Sequence, residues 1–165
     1  MRSSLRVLLG MCLLLSSCVF GPAPGSQWVG MVTPPARFTM LDGTRVSIDA
    51  FSGKTTVVVF WKSDCSKSRR VLESMRDFAV KYEQRPAVEF IAANIDKADK
   101  RQAVEARIRQ LDSKKILFAF SGNDVLDEAY RLFEGIEVPY VIVIDAHGNI
   151  IAVGGSAGVF EGAVY

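Results

Sequence analysis

Residues Val57-Val58-Val59-Phe60-Trp61 form an unbroken apolar run that stops at Lys62, and a helical repeat begins a few residues later. Three β-branched residues and two aromatics are too dense in apolar groups for a strand with one wet face. The run therefore predicts a central strand covered on both sides. Between strand and helix lie Lys62-Ser63-Asp64-Cys65-Ser66-Lys67-Ser68. This spacing sets Cys65 beside the first turn of the helix, where unpaired backbone N–H groups and the helix dipole favour a thiolate. Lys67, Arg69 and Arg70 add positive charge nearby, while the adjacent Asp64 carboxylate opposes ionisation. A free cysteine is often only a small buried apolar residue. The polar neighbours here predict an exposed, reactive one.

With 165 residues, 49% of them hydrophobic, the chain suits one domain with a substantial core. Arg37 to Leu41 and Thr44 to Ile48 alternate about Asp42-Gly43, which predicts a hairpin leading into the domain. Val71, Leu72, Met75, Phe78, Ala79 and Tyr82 recur at helical spacing and predict a helix over about 66–81. Val88 to Asn94 reads as a second strand. Ala103, Val104, Ile108 and Leu111 mark a helix whose Arg and Lys residues are most simply a solvated face. Ile116 to Phe120 is a third apolar run. Ser121-Gly122-Asn123-Asp124 is a turn with an N-cap, opening a short helix that carries Val125, Ala129, Leu132 and Phe133. Pro139 directly precedes the apolar run Tyr140 to Ile144, and so marks a strand start or a special turn. Asp145 to Asn149 connects that run to Ile150-Ile151-Ala152-Val153, the expected edge of the sheet.

The N-terminus is separate from this core. Arg2 and Arg6 precede an apolar stretch, Val7 to Leu15, too short to cross a bilayer as a helix, so residues 1–17 read as an export signal. Leu15-Ser16-Ser17-Cys18 resembles the lipobox of bacterial lipoproteins. That resemblance implies cleavage before Cys18, acyl chains on its sulfur and amino group, and stable membrane anchoring. The alternative is an ordinary secretory peptide in which Cys18 has no special role. Val19 after the lipid-bearing cysteine points, by analogy with lipoprotein sorting, to the periplasmic face of an outer membrane in a two-membrane organism. Gly21-Pro22-Ala23-Pro24-Gly25 and Pro34-Pro35 predict a flexible tether over 18–36, with the folded domain spanning 37–165. Of three cysteines, Cys12 would leave with the signal and Cys18 would be lipidated, so Cys65 would have no disulfide partner. Without Arg2 and Arg6, 18 basic residues face 18 acidic ones. A balanced domain of this kind argues against nucleic-acid partners.

Taken in order, Phe38-Thr39-Met40-Leu41-Asp42-Gly43, the strand and turn Val57 to Cys65, Gly135 to Pro139, and Ile144 to Ile150 resemble the TlpA/ResA type of extracytoplasmic thiol-disulfide proteins. The resemblance covers Phe38 to Val153. It implies a thioredoxin-like α/β fold, three layers in α/β/α order, with a central mixed β-sheet and an N-terminal β-hairpin. It also implies that Pro139 is a cis-proline facing the cysteine and bordering a substrate groove, with Asp64 and Val138 beside it; Trp61 either lines that groove or is a strand-end aromatic of the core. No cofactor is implied. The expected partners are protein thiols or disulfides, or a low-molecular-weight thiol.

The departures bear on mechanism. The family's second cysteine is Ser68 here, and two positions that carry a buried carboxylate in relatives are Val59 and Val71. The C-terminal helix is expected to be short or absent, since Gly154 to Tyr165 holds four glycines. Cys65 would attack a disulfide and form a mixed disulfide that nothing internal resolves, with the Ser68 hydroxyl about one turn away stabilising the thiolate. The competing expectation is a redox-inactive binding module that keeps the fold. A third, thiol peroxidase, draws on a likeness of Lys62 to Ser68 to the glutathione-peroxidase nucleophile loop, but that family's downstream Trp-Asn motif is missing. No metal site is expected, because His147 is the only histidine and Cys65 has no second soft ligand.

Overall fold

The Val57–Trp61 run lies within β3 (Thr55–Trp61), the middle strand of a five-stranded mixed sheet. The computed structural model describes residues 25–164; the expected export signal and Cys18 lie outside them. In the sheet order β5-β4-β3-β6-β7, β3 runs parallel to β4 (Val88–Asn94), which runs parallel to β5 (Ile116–Phe120). On its other side β3 pairs antiparallel with β6 (Tyr140–Ile144), and β6 with β7 (Ile150–Gly154). A separate hairpin, β1 (Arg37–Thr39) and β2 (Arg45–Ser47), turns through Asp42-Gly43 and touches β5 through a Met40–Ala119 bridge.

Strand alternation divides the core into two layers. Val57, Val59 and Trp61 face α1 (Ser66–Lys81), α2 (Arg101–Leu111) and the short α4 (Gly158–Ala163), packing with Leu72, Met75, Phe78, Val104 and Phe160. Val58 and Phe60 face the hairpin and α3 (Glu128–Leu132), packing with Phe38, Ala129, Tyr130 and Phe133. Phe60 is the hub of this second layer. Its ring lies 5.3 Å from Tyr130, 6.0 Å from Phe133 and 6.3 Å from both Phe38 and Tyr140, centroid to centroid. Such aromatic pairs each contribute about 0.5–1.5 kcal/mol beyond area burial.

Two local expectations change. Residues 25–36, expected as the second part of a tether, lie against the domain. Gly30 N–H donates to Ile150 O at 2.8 Å, Ile150 N–H to Met31 O at 2.9 Å, and Thr33 N–H to Gly148 O at 2.8 Å. These bonds pair backbone groups of Gly148 and Ile150 at the start of the free edge of β7, and Ala36 is fully buried. The helix expected directly after the turn at Ser121 to Asp124 starts later. Asp124 has φ +55° and heads a 3-10 turn through Leu126; α3 is capped instead by Asp127, whose carboxylate accepts from Tyr130 N–H at 2.9 Å. Val125 and Leu132, expected on the inner face, are consequently exposed. The C-terminal helix is short but present, with Phe160 buried 5.3 Å from the Phe78 ring. Among the described residues no helix is long and apolar enough to cross a membrane.

Candidate active site

Cys65 is the N-cap of α1. Its backbone is extended (φ −91°, ψ 116°), its carbonyl accepts from Arg69 N–H at 3.1 Å, and its sulfur accepts from Ser68 N–H at 3.4 Å. The sulfur thus occupies the place where a capping oxygen ordinarily satisfies a free N–H of the first turn. The side chain is partly exposed. Ser68, one turn on, is completely buried, and its Oγ accepts from Lys62 N–H at 3.4 Å. That bond leaves the hydroxyl proton available to the sulfur. Burial pushes the thiol up, and Asp64 adds to that push. The Ser68 hydroxyl and the N–H groups of Ser68 and Lys67 outweigh both, so Cys65 lies below the ordinary thiol value.

The opposite wall comes from the loop before β6. The Val138–Pro139 peptide bond is cis, Pro139 is buried, and Val138 O lies 3.7 Å from Cys65 Sγ. Two buried tyrosines fix this loop: Tyr130 Oη donates to Glu137 O at 3.2 Å and Tyr140 Oη to Phe133 O at 3.3 Å. Burial, with smaller contributions from nearby acidic side chains, pushes Tyr140 up to about 12 and raises Tyr130, so both stay neutral donors. Gly135 has no side chain because the Tyr130 ring already occupies the space a Cβ would need.

Beneath the Cys65 loop is a polar brace. Asp96, buried at 4% exposure, accepts from Ser63 N–H at 2.7 Å and Asn94 Nδ2 at 2.9 Å, while Asp96 N–H donates to Asn94 Oδ1 at 2.9 Å. Lys62 Nζ pairs with Asp124 Oδ1 at 2.7 Å. The Asp124 hydrogen bond raises Lys62, and the same bond lowers Asp124. Neither Asp96 nor Asp124 stood out in the sequence, since single acids after a strand or in a turn carry no periodic signal.

The expected site residues divide. Cys65, Ser68, Val138 and Pro139 meet at one end of the sheet, and exposed Asp64 borders a cleft of about 100 Å³ with Ser63, Cys65, Ser66, Arg69 and Arg107. Trp61 does not join them. It is 1% exposed, packed in the core on the α1 side, because its position alternates with Val57 and Val59 on the inner face of a strand buried on both sides. Its Nε1 is buried without a partner. Arg107 was missed as part of a solvated face. It is three residues after buried Val104, on the inward side of α2, and that spacing could have identified it. Among the described residues no three His, Cys, Asp or Glu side chains converge as a metal site would require.

Residues 28–158 match the family model described as Redoxin. The chain is similar to the thiol-disulfide oxidoreductase ResA of Bacillus thuringiensis, at 26% identity over 123 residues that cover 74% of this chain and 67% of the relative. In fold it is similar to the thioredoxin domain of a thiol-disulfide oxidoreductase from Bacteroides vulgatus, with a TM-score of 0.68, 20% identity, and coverage of 83% of this chain and 98% of that one. A thiol-disulfide oxidoreductase from Bacteroides fragilis is likewise similar, with a TM-score of 0.70, 16% identity, and coverage of 81% and 96%. A central strand delivering a cysteine to a helix N-terminus, opposite a cis-proline and within a matched stretch of this length, leads to one conclusion: the chain belongs to the Redoxin family and has a thioredoxin-like fold.

Proposed function

We propose that this protein carries out thiol-disulfide exchange through the single nucleophile Cys65. The observation that carries this reading is the Cys65 sulfur itself: partly exposed, capping α1, accepting from Ser68 N–H and lowered toward the thiolate. The thiolate attacks one sulfur of a partner disulfide. The Cys65–S–S bond forms as the partner's S–S bond breaks, and the leaving thiolate takes a proton from water. Val138 and Pro139 line the approach, where the backbone of an extended substrate segment would lie. With serine at position 68, an outside thiol or the partner's own second thiol attacks the mixed disulfide and restores Cys65. Protein thiols and disulfides are the proposed substrates.

The Leu15-Ser16-Ser17-Cys18 motif supports an extracytoplasmic protein, lipid-anchored through Cys18. The competing reading, a redox-inactive binding module, draws on Val59 and Val71, which are buried and apolar where relatives carry a carboxylate. Treating the chain with neutral bis(2-hydroxyethyl) disulfide separates the two. Exchange requires a mass adduct on Cys65, formed faster than on free cysteine at neutral pH. A thiol no more reactive than free cysteine, with no partners trapped in cells under non-reducing conditions, leaves the binding module.

A further inference from the structure

Resting on the exchange reading, we propose that the cleft beside Cys65 is a subsite for the carboxylate of a low-molecular-weight thiol, and that this thiol resolves the Cys65 mixed disulfide. The cleft is lined by Ser63, Asp64, Cys65, Ser66, Arg69 and Arg107. Its two arginines come from different helices, Arg69 from α1 and Arg107 from α2, and line the same cleft as Cys65, which would carry the mixed disulfide. Asp64 is the one opposing charge, so the cleft is net positive. Arg107 Nη1 donates to Gln110 Oε1 at 2.8 Å, which leaves the other edge of its planar fork for a carboxylate.

Size is consistent with this class. A cleft of about 100 Å³ has room for a carboxylate and its neighbouring methylenes. The chemistry also has a use for such a reagent, because Ser68 cannot attack the mixed disulfide and a partner without a second thiol would otherwise stay bound. In the resolving step the small thiolate attacks the partner-side sulfur, the partner leaves bonded to it, and Cys65 departs as the thiolate. Alternatively it attacks the disulfide from the cleft at the Cys65 sulfur, expelling the partner as a thiol; the resulting small-molecule adduct is cleared by a second equivalent. Both routes conserve electrons as simple exchange. In either case Arg69 and Arg107 hold the incoming carboxylate, and the positive cleft raises the local concentration of anionic thiols over neutral or cationic ones.

The test uses the full chain with Cys12 and Cys18 replaced by serine, so that Cys65 is the sole thiol. The hydroxyethyl mixed disulfide is prepared from the neutral disulfide, then reduced with 3-mercaptopropionate, 2-mercaptoethanol or cysteamine, with each rate constant expressed per thiolate and divided by that of the same thiol with free bis(2-hydroxyethyl) disulfide, which removes the thiols' different intrinsic nucleophilicities. At low ionic strength the anionic thiol is expected to exceed the neutral one by about three- to ten-fold, the range for one or two exposed ion pairs, with the cationic thiol slowest. This ratio should collapse toward one in 1 M salt and in the Arg69→Gln/Arg107→Gln variant. It should be largely retained in Arg107→Lys, and unchanged in Arg109→Gln on the exposed side of α2. A wild-type ratio at or below one, or a ratio unmoved in the double variant, overturns the subsite while leaving exchange standing. A Cys65 that forms no adduct with the neutral disulfide overturns both.

Discussion

The sulfur of Cys65 lies 3.7 Å from the carbonyl oxygen of Val138, across 73 positions of sequence. One side of that contact belongs to α1 and the other to the loop held by Tyr130 and Tyr140. A carbonyl so close accepts from a protonated thiol and gives no help to a thiolate. The lowering of Cys65 must therefore come from the α1 side.

That assignment sets the pH dependence. Alkylation of Cys65 in the folded protein should inflect below the free-cysteine value of about 8.5, and return to it in denaturant. Ser68→Ala removes the hydroxyl and keeps the N–H, so its inflection should move upward part of the way. An inflection in Ser68→Ala equal to the wild type would exclude the hydroxyl from the thiolate's stabilisation.

Restoring a second thiol should change mixed-disulfide lifetimes. Ser68 is three residues after Cys65, with its N–H already 3.4 Å from the sulfur. Ser68→Cys should therefore attack a Cys65 mixed disulfide internally and shorten its lifetime at least ten-fold, by the logic of high effective concentration. Quenched-flow trapping followed by mass analysis measures this. Equal lifetimes in the two proteins would show that the buried position 68 cannot reach the bond.

Asp96 should matter to both stability and site order. Asp96→Ala leaves Ser63 N–H and Asn94 Nδ2 without their acceptor, at a cost of about 1–3 kcal/mol in denaturant unfolding. The Cys65 loop should also exchange its Ser63 amide faster. An unchanged Ser63 protection factor would mean that the brace does not hold this loop.

Trp61 should matter to stability alone. Because it is a core residue with an unpartnered Nε1, Trp61→Phe should cost roughly 1–3 kcal/mol, since the smaller phenyl leaves a cavity that removal of the orphan donor only partly offsets. Cys65 alkylation should be unchanged. A slowed Cys65 in this variant would return Trp61 to the groove.

The anchoring proposal has its own experiment. Cys18→Ser should abolish metabolic labelling with palmitate and release the protein from membranes. Labelling that persists in this variant assigns the lipid elsewhere.

Much of the architecture was legible because its signals are local and periodic. The Val57–Trp61 run, the 3.6-residue repeat of α1 and the Asp42-Gly43 turn each name an element without help from the rest of the chain. The parts that were not legible depend on partners distant in sequence. Asp96 and Asp124 act through Ser63 and Lys62, and the Pro-rich residues before β1 acquire structure only because β7 has an edge to cover. Trp61 was left between groove and core for a related reason. Strand parity decides its side, and a strand apolar at every position carries no parity signal.

The docked stretch before β1 also bears on where this domain can work. Gly25 is already seated against the body, with no space for a Cβ between it and Tyr140 and Val153. Under the proposed anchoring, seven residue steps separate Cys18 from Gly25, and even at full extension they span no more than about 25 Å. Gly25, and the body it is seated against, would then stay within that distance of the lipid. Partners would be proteins that present a disulfide close to the membrane, and lengthening the span would widen the choice without altering a single atom of the site.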